Sequence, residues 1–195
     1  ERVLGNTKGS SEVLYISTPA DPIDVDMDVL YHKKTMEALT KRLKYDTRVI
    51  DEGLAVIYSE LADFNFTGLG ISVGAGLTNV TLAYMASPLM SFSIGRGGDW
   101  IDEQVAKSTG LTKEHVTSTK EKVSSLSTHV DVGSPEGALN IYYDALISYV
   151  IENLKKKLAH ITPPEVAFPV AIAGGSSLPK GFFEMFEKKM NQAKL

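Results

Sequence analysis

Two short glycine turns set most of the limits on what this chain can fold into. They lie in ISVGAGLTNV at Ile71–Val80 and in VAIAGGSSLPKG at Val170–Gly181, and each follows an apolar run that reads as the end of a strand. Glycine at such a place lets bare backbone approach another group with no side chain in the way. In Gly74-Ala75-Gly76-Leu77-Thr78, successive N–H groups at a hairpin tip can converge on an anion, and Thr78 adds a hydroxyl donor. In Gly174-Gly175-Ser176-Ser177, flat backbone leads into the partly positive start of a helix. Each turn also has a plainer reading: a tight hairpin whose glycines supply positive φ, and an ordinary strand-to-helix turn. Between them, Gly97-Gly98-Asp99-Trp100-Ile101-Asp102 brings carboxylates to a helix start, where they cap the helix or hold sugar hydroxyls. Together the three stretches outline two jaws of a nucleotide site.

The polar stretch Glu1–Ser11 reads as a frayed lead-in or a cut edge. A strand at Glu12–Ser17, a helix at Met27–Lys44, a strand at Thr47–Ile50 and a helix at Glu52–Leu61 follow, which is the parallel α/β pattern. Leu30, Met36, Leu39 and Leu43 form the expected buried stripe of the first helix, and Leu54, Ile57, Tyr58 and Leu61 that of the second. The pattern then changes. Gly68–Val73, Asn79–Met85 and Leu89–Ile94 succeed one another without a helix, and their alternation reads as half-buried antiparallel strands. Helices are expected at Asp99–Ser108, Thr112–Ser125 and Pro135–His160, the last capped by Ser134 and burying Ala138, Tyr142, Ala145, Tyr149, Leu154 and Leu158. A buried strand at Val170–Ala173 and a helix at Pro179–Met190, burying Phe182, Phe186 and Met190, close the chain.

With 195 residues, 43% of them hydrophobic, the chain can bury one large core or two small ones. The division expected is residues 1–64, the C-terminal part of a first βαβα domain with its interdomain helix, and residues 65–195, a second domain carrying both glycine turns. Net charge is only −4, and Lys33, Lys34, Lys41, Arg42 and Lys44 share one helix rather than an aromatic-laced stripe, which argues against nucleic acid. The absence of cysteine excludes disulfides and thiolate metal sites. No apolar run reaches the roughly 18 residues that span a bilayer and no signal-peptide pattern is present, so a soluble cytoplasmic protein is expected. Asp24-Val25-Asp26-Met27-Asp28 imitates a calcium loop but lacks the glycine at its sixth position and has Thr35 at its closing position. His32, His115, His129 and His160 are scattered, and Asn79-Val80-Thr81 is a formal glycosylation sequon inside an expected strand.

The order of these motifs resembles the actin-like ATPase superfamily, the ribonuclease H-like fold shared by actin, the bacterial filament protein MreB, the division protein FtsA, DnaK-type chaperones and sugar kinases. Ser72-Val73-Gly74-Ala75-Gly76-Leu77-Thr78 is similar to the family's second phosphate loop, D-x-G-x-G-[ST]-T. Asp51-Glu52-Gly53-Leu54-Ala55 is similar to the E-P-x-A-A start of the interdomain helix, and Gly98-Asp99-Trp100-Ile101-Asp102 to the G-D-x-x-D of MreB-like members. Pro163-Pro164-Glu165 with Gly174-Gly175-Ser176-Ser177-Leu178 resembles their P-P-E and adenosine loop. The resemblance implies a mixed sheet with an antiparallel meander, then helices and a parallel strand. It implies ATP or ADP with Mg²⁺ as cofactors, phosphates held by Gly74, Ala75, Gly76, Leu77 and Thr78, and ribose near Gly98, Asp99 and Asp102. Adenine would be flanked by Gly174, Gly175, Ser176, Ser177 and Leu178, with Lys120 or Lys122 over the nucleoside and Glu52 orienting the attacking water or the hydrated Mg²⁺.

Three departures qualify the resemblance. Ser72 stands where the family has an aspartate, so a neutral hydroxyl replaces an anion and hydrolysis should weaken. The family's first phosphate loop is not among these residues, so the chain reads as a partial copy or a reduced relative. Only a short stretch separates the Lys122 helix from Pro135, where filament-forming members insert a subdomain. Two functions are therefore expected: an Mg·ATP-binding domain of a nucleotide-switched cytoskeletal or division-type ATPase, or a non-catalytic actin-like scaffold for protein assembly. Protein partners or self-association are expected in both. Sugar-kinase activity is weaker, since no segment reads as a sugar pocket.

Overall fold

The molecule, described from a computed structural model, covers residues 12–122, 125–126, 131 and 133–195. The lead-in, His129 and residues 123–124 of the helix expected at Thr112–Ser125 lie outside the described residues, and Ser125 is not helical but bridges to Lys180. Two parallel strands, β1 (Val13–Thr18) and β2 (Asp46–Asp51), pair from Val13↔Asp46 to Thr18↔Asp51 with helix α1 (Val29–Arg42) between them in sequence. Asp28 caps α1 by accepting the Leu30 N–H at 2.9 Å. The side chains of α1 that bury are Val29, Thr40 and Leu43. Of the stripe expected from the sequence, Leu43 alone is covered, and Leu30 is 57% exposed. A two-stranded sheet offers a narrow surface, so only the line nearest its axis is buried, and the Thr47 hydroxyl donates to Thr40 Oγ1 at 2.6 Å along that line.

The second sheet has the order β5–β4–β3–β6, built from β3 (Gly68–Val73), β4 (Thr78–Tyr84), β5 (Ser87–Ile94) and β6 (Val170–Ala173). The first three form the antiparallel meander, and β6 runs parallel to β3. Tyr84 pairs with Ser87 around Met85 and Ala86, which both take positive φ, the geometry of a type I′ hairpin without its usual glycine. The meander strands are not uniformly half-buried as the alternation suggested, because β4 is covered on both faces. Val80 and Leu82 enter the large core, whereas Thr81 and Ala83 face helix α2 (Glu52–Glu60). Helix α2 lies so close that a Cβ on Gly70 would collide with the Gly53 carbonyl oxygen, and one on Gly53 would stand 2.7 Å from Thr81 Oγ1. Leu54, Ile57 and Leu61 bury as expected, while Tyr58 stays at the margin and donates to the Ala86 carbonyl at 3.0 Å.

On the other face lie α3 (Gly98–Thr109), α4 (Lys113–Lys122), α5 (Pro135–Leu158) and α6 (Phe182–Ala193). Ser134 caps α5 by accepting the Gly137 N–H at 3.0 Å. The buried face of α5 centres on Leu139, Tyr143, Leu146, Ile147, Val150 and Leu154, rotated from the stripe expected from the sequence. Tyr142 and Tyr149 lie at its margin: Tyr142 packs edge-on to Trp100, and the Arg96 guanidinium stands 3.5 Å from the Tyr149 ring centroid. Phe182 and Phe186 of α6 complete this core, with Met190 partly buried beside it. β6 is less buried than its apolar run suggested, since it forms the sheet edge and leaves Val170 exposed. The segment after β1 crosses to β5, where Ile23 N–H donates to the Ser93 carbonyl at 3.0 Å and Ser93 N–H to the Asp21 carbonyl at 3.1 Å.

Gly70→Ala should lower folding stability by about 3 kcal/mol, the upper range for overpacking against a fixed neighbour. Gly76→Ala, where a Cβ meets nothing within 4 Å, should stay within about 0.5 kcal/mol of the parent. Urea midpoints at unchanged m-value measure both.

Candidate functional site

The first glycine turn is closed by the Gly74 N–H, which donates to the Leu77 carbonyl at 2.9 Å. Its outward carbonyls are engaged elsewhere. Gly74 O accepts from the Gly98 N–H at 3.0 Å and from the Ser176 hydroxyl at 3.0 Å, and Ala75 O accepts from the Asp99 N–H at 2.8 Å. These bonds take up N–H groups that open α3, whose N-cap Gly97 offers no side chain, so the turn itself serves as the cap. A Cβ on Gly97 would approach the Gly74 and Ala75 oxygens to 2.5 Å, which explains the glycine. Neither Gly74 nor Gly76 has positive φ, so the plainer explanation of those two glycines does not apply. Ala75 and Gly76 are exposed at the tip, and no described residue accepts their N–H groups. Thr78 is fully buried, with its hydroxyl donating to the Arg96 carbonyl at 2.8 Å. It therefore fixes the following loop rather than pointing outward.

The second turn presses on the first. Gly174, at φ 102°, lies where a Cβ would collide with the Val73 carbonyl, and Ser177 donates its N–H and its hydroxyl back to Gly174 O at 3.1 and 2.8 Å. Gly175–Ser177 then make one turn of 3₁₀ helix, which brings Ser176 onto Gly74. Leu178 follows, 80% exposed.

The acidic segment faces both turns. Asp102 is 1% exposed, with Oδ1 at 2.8 Å from Lys120 Nζ and Oδ2 accepting the Thr117 hydroxyl at 2.8 Å. Lys120 Nζ also donates to the Gly98 carbonyl at 2.9 Å, so a buried ion pair ties α4 to the start of α3. Asp99 is more exposed, 3.6 Å from Lys113. Of the two lysines expected near the site, Lys120 enters it and Lys122 lies on the exposed end of α4. Tyr143 reaches in from α5, and burial together with the Asp102 charge pushes its hydroxyl above the ordinary tyrosine range.

A cavity of about 600 Å³ is lined by Ala75, Asp99, Asp102, Lys120, Gly175, Ser176 and Leu178, with Thr117, Glu121, Tyr143 and Pro179. It thus joins residues from all three stretches singled out in the sequence. Gly74, Gly98, Gly174 and Ser177 are taken up in the packing of the turns, and Gly76, Leu77 and Thr78 are likewise not among its lining. A larger hollow of about 820 Å³ between α5 and α6 contains none of these residues.

Glu52 and Ser72 meet on the α2 face of the sheet. Glu52 Oε2 accepts the Ser72 hydroxyl at 3.4 Å and the Asn79 side-chain N–H at 2.8 Å. Asn79 was visible in the sequence only as a sequon, and its full burial, with that of Thr81, closes it to a glycan. Its position one residue after the phosphate-type turn, opposite Ser72 in the ladder, was the available signal. Asp24 accepts the Gly95 N–H and Asp28 caps α1, so two acids of the calcium-like stretch have structural jobs. Among the described residues no helix is long and apolar enough to cross a membrane.

The family profile described as Volactin matches residues 1–195. No curated protein matches the chain. In structure it is similar to the MamK double helical filament (TM-score 0.75, 16% identity, 98% of this chain and 64% of that chain). It is also similar to MreB 5 of Spiroplasma citri bound to AMPPNP (TM-score 0.67, 17% identity, 91% and 62%). A third likeness is to the ethanolamine utilization protein EutJ from Carboxydothermus hydrogenoformans (TM-score 0.59, 17% identity, 78% and 52%). The chain therefore has the actin-like ATPase fold, a mixed α/β architecture, and it spans less than two thirds of the length of these structures.

Lys120→Met should destabilise the protein by about 3–5 kcal/mol at pH 7, since it strands the Asp102 charge without its partner. Chemical denaturation measures the loss, and a cost below about 1 kcal/mol would mean that the pair contributes no more than a surface one.

Proposed function

Since the chain belongs to the Volactin family, we propose that it is the Mg·ATP-binding part of a nucleotide-switched, cytoskeletal-type actin-like ATPase. One observation carries the proposal: Ala75, Asp99, Lys120, Gly175 and Leu178, from separate stretches of sequence, line one cavity. The unengaged N–H groups of Ala75 and Gly76 suit phosphate oxygens, and the open space beside Gly76 leaves room for them. Asp99 is then the ribose acceptor, Lys120 lies over the nucleoside, and Gly175, Ser176 and Leu178 flank the base. Asp102, held between Lys120 and Thr117, acts by fixing that lysine. The relatives lend support, since MreB5 of Spiroplasma citri is described with AMPPNP and with ADP, and a MamK mutant with AMPPNP.

Glu52 is the carboxylate that fits hydrated Mg²⁺ or the attacking water, with Oε1 open and Oε2 held by Asn79 and Ser72. When bound, Mg²⁺ would supply neutralisation of phosphate charge. The two-domain division, residues 1–64 and 65–195, belongs to this reading, with the pair β1–β2 in the first part and the four-stranded sheet in the second. So does self-association, as the MamK filament illustrates for that protein. Exposed Val13, Tyr15, Leu30 and Tyr31 are apolar side chains available for protein contacts.

One observation favours the scaffold instead: Ser72 gives Glu52 a hydroxyl donor where the superfamily pattern has a second carboxylate. ATP turnover separates the two readings, and calorimetric titration of Mg·ATP tests the cradle itself. Gly76→Val has room to fold but fills the cradle, so it should weaken Mg·ATP at least about tenfold with the melting temperature retained; equal affinity would remove the turn from the site. Glu52→Ala should abolish ATP turnover while binding persists, and undiminished turnover would take Glu52 out of the mechanism.

A further inference from the structure

Asn79 is 1% exposed, at the start of β4, the inner strand of the sheet next to β3, with its backbone held in the ladder opposite Ser72. A buried amide must find partners at both ends, and the two partners found here differ in kind. Its Oδ1 accepts the Ala20 N–H at 3.0 Å, and its Nδ2 donates to Glu52 Oε2 at 2.8 Å. The first bond fixes the amide, because only the oxygen can face an N–H, and the nitrogen is thereby turned to the carboxylate. Ala20 is itself anchored, its carbonyl accepting the Ser93 hydroxyl at 2.7 Å. The Ser72 contact, at 3.4 Å, is at the long limit of a hydrogen bond, so Asn79 supplies the stronger hold on Glu52. Both donors fall on Oε2, and no described group donates to Oε1.

We infer that Asn79 is the positioning residue of the site: it orients Glu52 so that Oε1 alone is presented to water. The inference rests on the reading of Glu52 as the carboxylate that orients the attacking water. A carboxylate with one oxygen clamped presents a single acceptor in one direction, which is the preorganisation that water activation needs. Asn79 touches neither the nucleotide nor the water in this arrangement and acts through Glu52.

The test is steady-state ATP hydrolysis with Mg²⁺ by the intact protein. Asn79→Asp keeps the size and the acceptor for Ala20, and replaces only the donor, setting a like charge against Glu52. It should lower kcat on the order of 10- to 100-fold, the scale on which outer partners of active groups act, and leave KM for ATP within about twofold. In a Glu52→Gln background the same change should cause no further fall, because two residues acting as one unit are not additive. Should N79D fail to fold, Asn79→Ser carries the same test without the added charge. Undiminished kcat in the single variant, or an equal further fall in the Glu52→Gln background, overturns the assignment alone. Absence of turnover in the unsubstituted protein overturns the hydrolytic reading and this assignment with it.

Discussion

The carbonyl groups of one short turn hold the candidate site together. Gly74 and Ala75 accept the N–H groups of Gly98 and Asp99, so the turn after β3 caps the helix that begins the acidic segment. A helix start with glycine at its cap leaves donors that must be satisfied, and here the satisfying groups come from another strand's end. Ser176 adds a third bond to the same Gly74 oxygen, and Gly174 lies on Val73. The three motifs are thus parts of one hydrogen-bonded knot, and the cavity is the space they leave. Lys120, drawn in by Asp102 and the Gly98 carbonyl, lines it.

The order of elements was legible in the sequence because each carries its own local signal. Ser134 with Pro135 marked the start of α5, and the glycine turns marked the ends of β3 and β6. What was not legible depends on neighbours distant in the chain. The stripe of α1 was misplaced because periodicity gives the apolar side of a helix but not the width of the sheet that will cover it. The stripe of α5 was rotated because a helix buried over much of its girth has no single polar face to contrast with. β4 looked half-buried, yet α2 covers Thr81 and Ala83, whose small or polar character reads as exposure in a pattern.

The same limit applies to the site. Spacing pointed to Gly74, Asp99 and Gly174, and the family resemblance to Lys120 or Lys122, but neither pointed to the fact that Thr78 gives its hydroxyl to the Arg96 carbonyl. They also gave no sign of Thr117 or Tyr143, which arrive from helices α4 and α5. Asn79 escaped notice for a related reason: its two hydrogen-bond partners, Ala20 and Glu52, lie 59 and 27 residues away. A buried amide becomes meaningful only once both ends are assigned.

The contact between Gly53 and Gly70 has a mechanical meaning. At Gly53 and Gly70 helix α2 meets β3 backbone to backbone, and Leu54, Ile57 and Leu61 pack around that contact. The β2 strand ends at Asp51 and α2 begins at Glu52, with no residue between. Helix α2 is thereby fixed against the larger sheet, and the small sheet is joined to both at that junction and through the Asp21–Ser93 and Ala20–Asn79 bonds. Glu52 sits at that junction, as the first residue of α2. The bearing of its carboxylate on the end of β3 is therefore set by a contact of main chain on main chain, which leaves less play than packed side chains would.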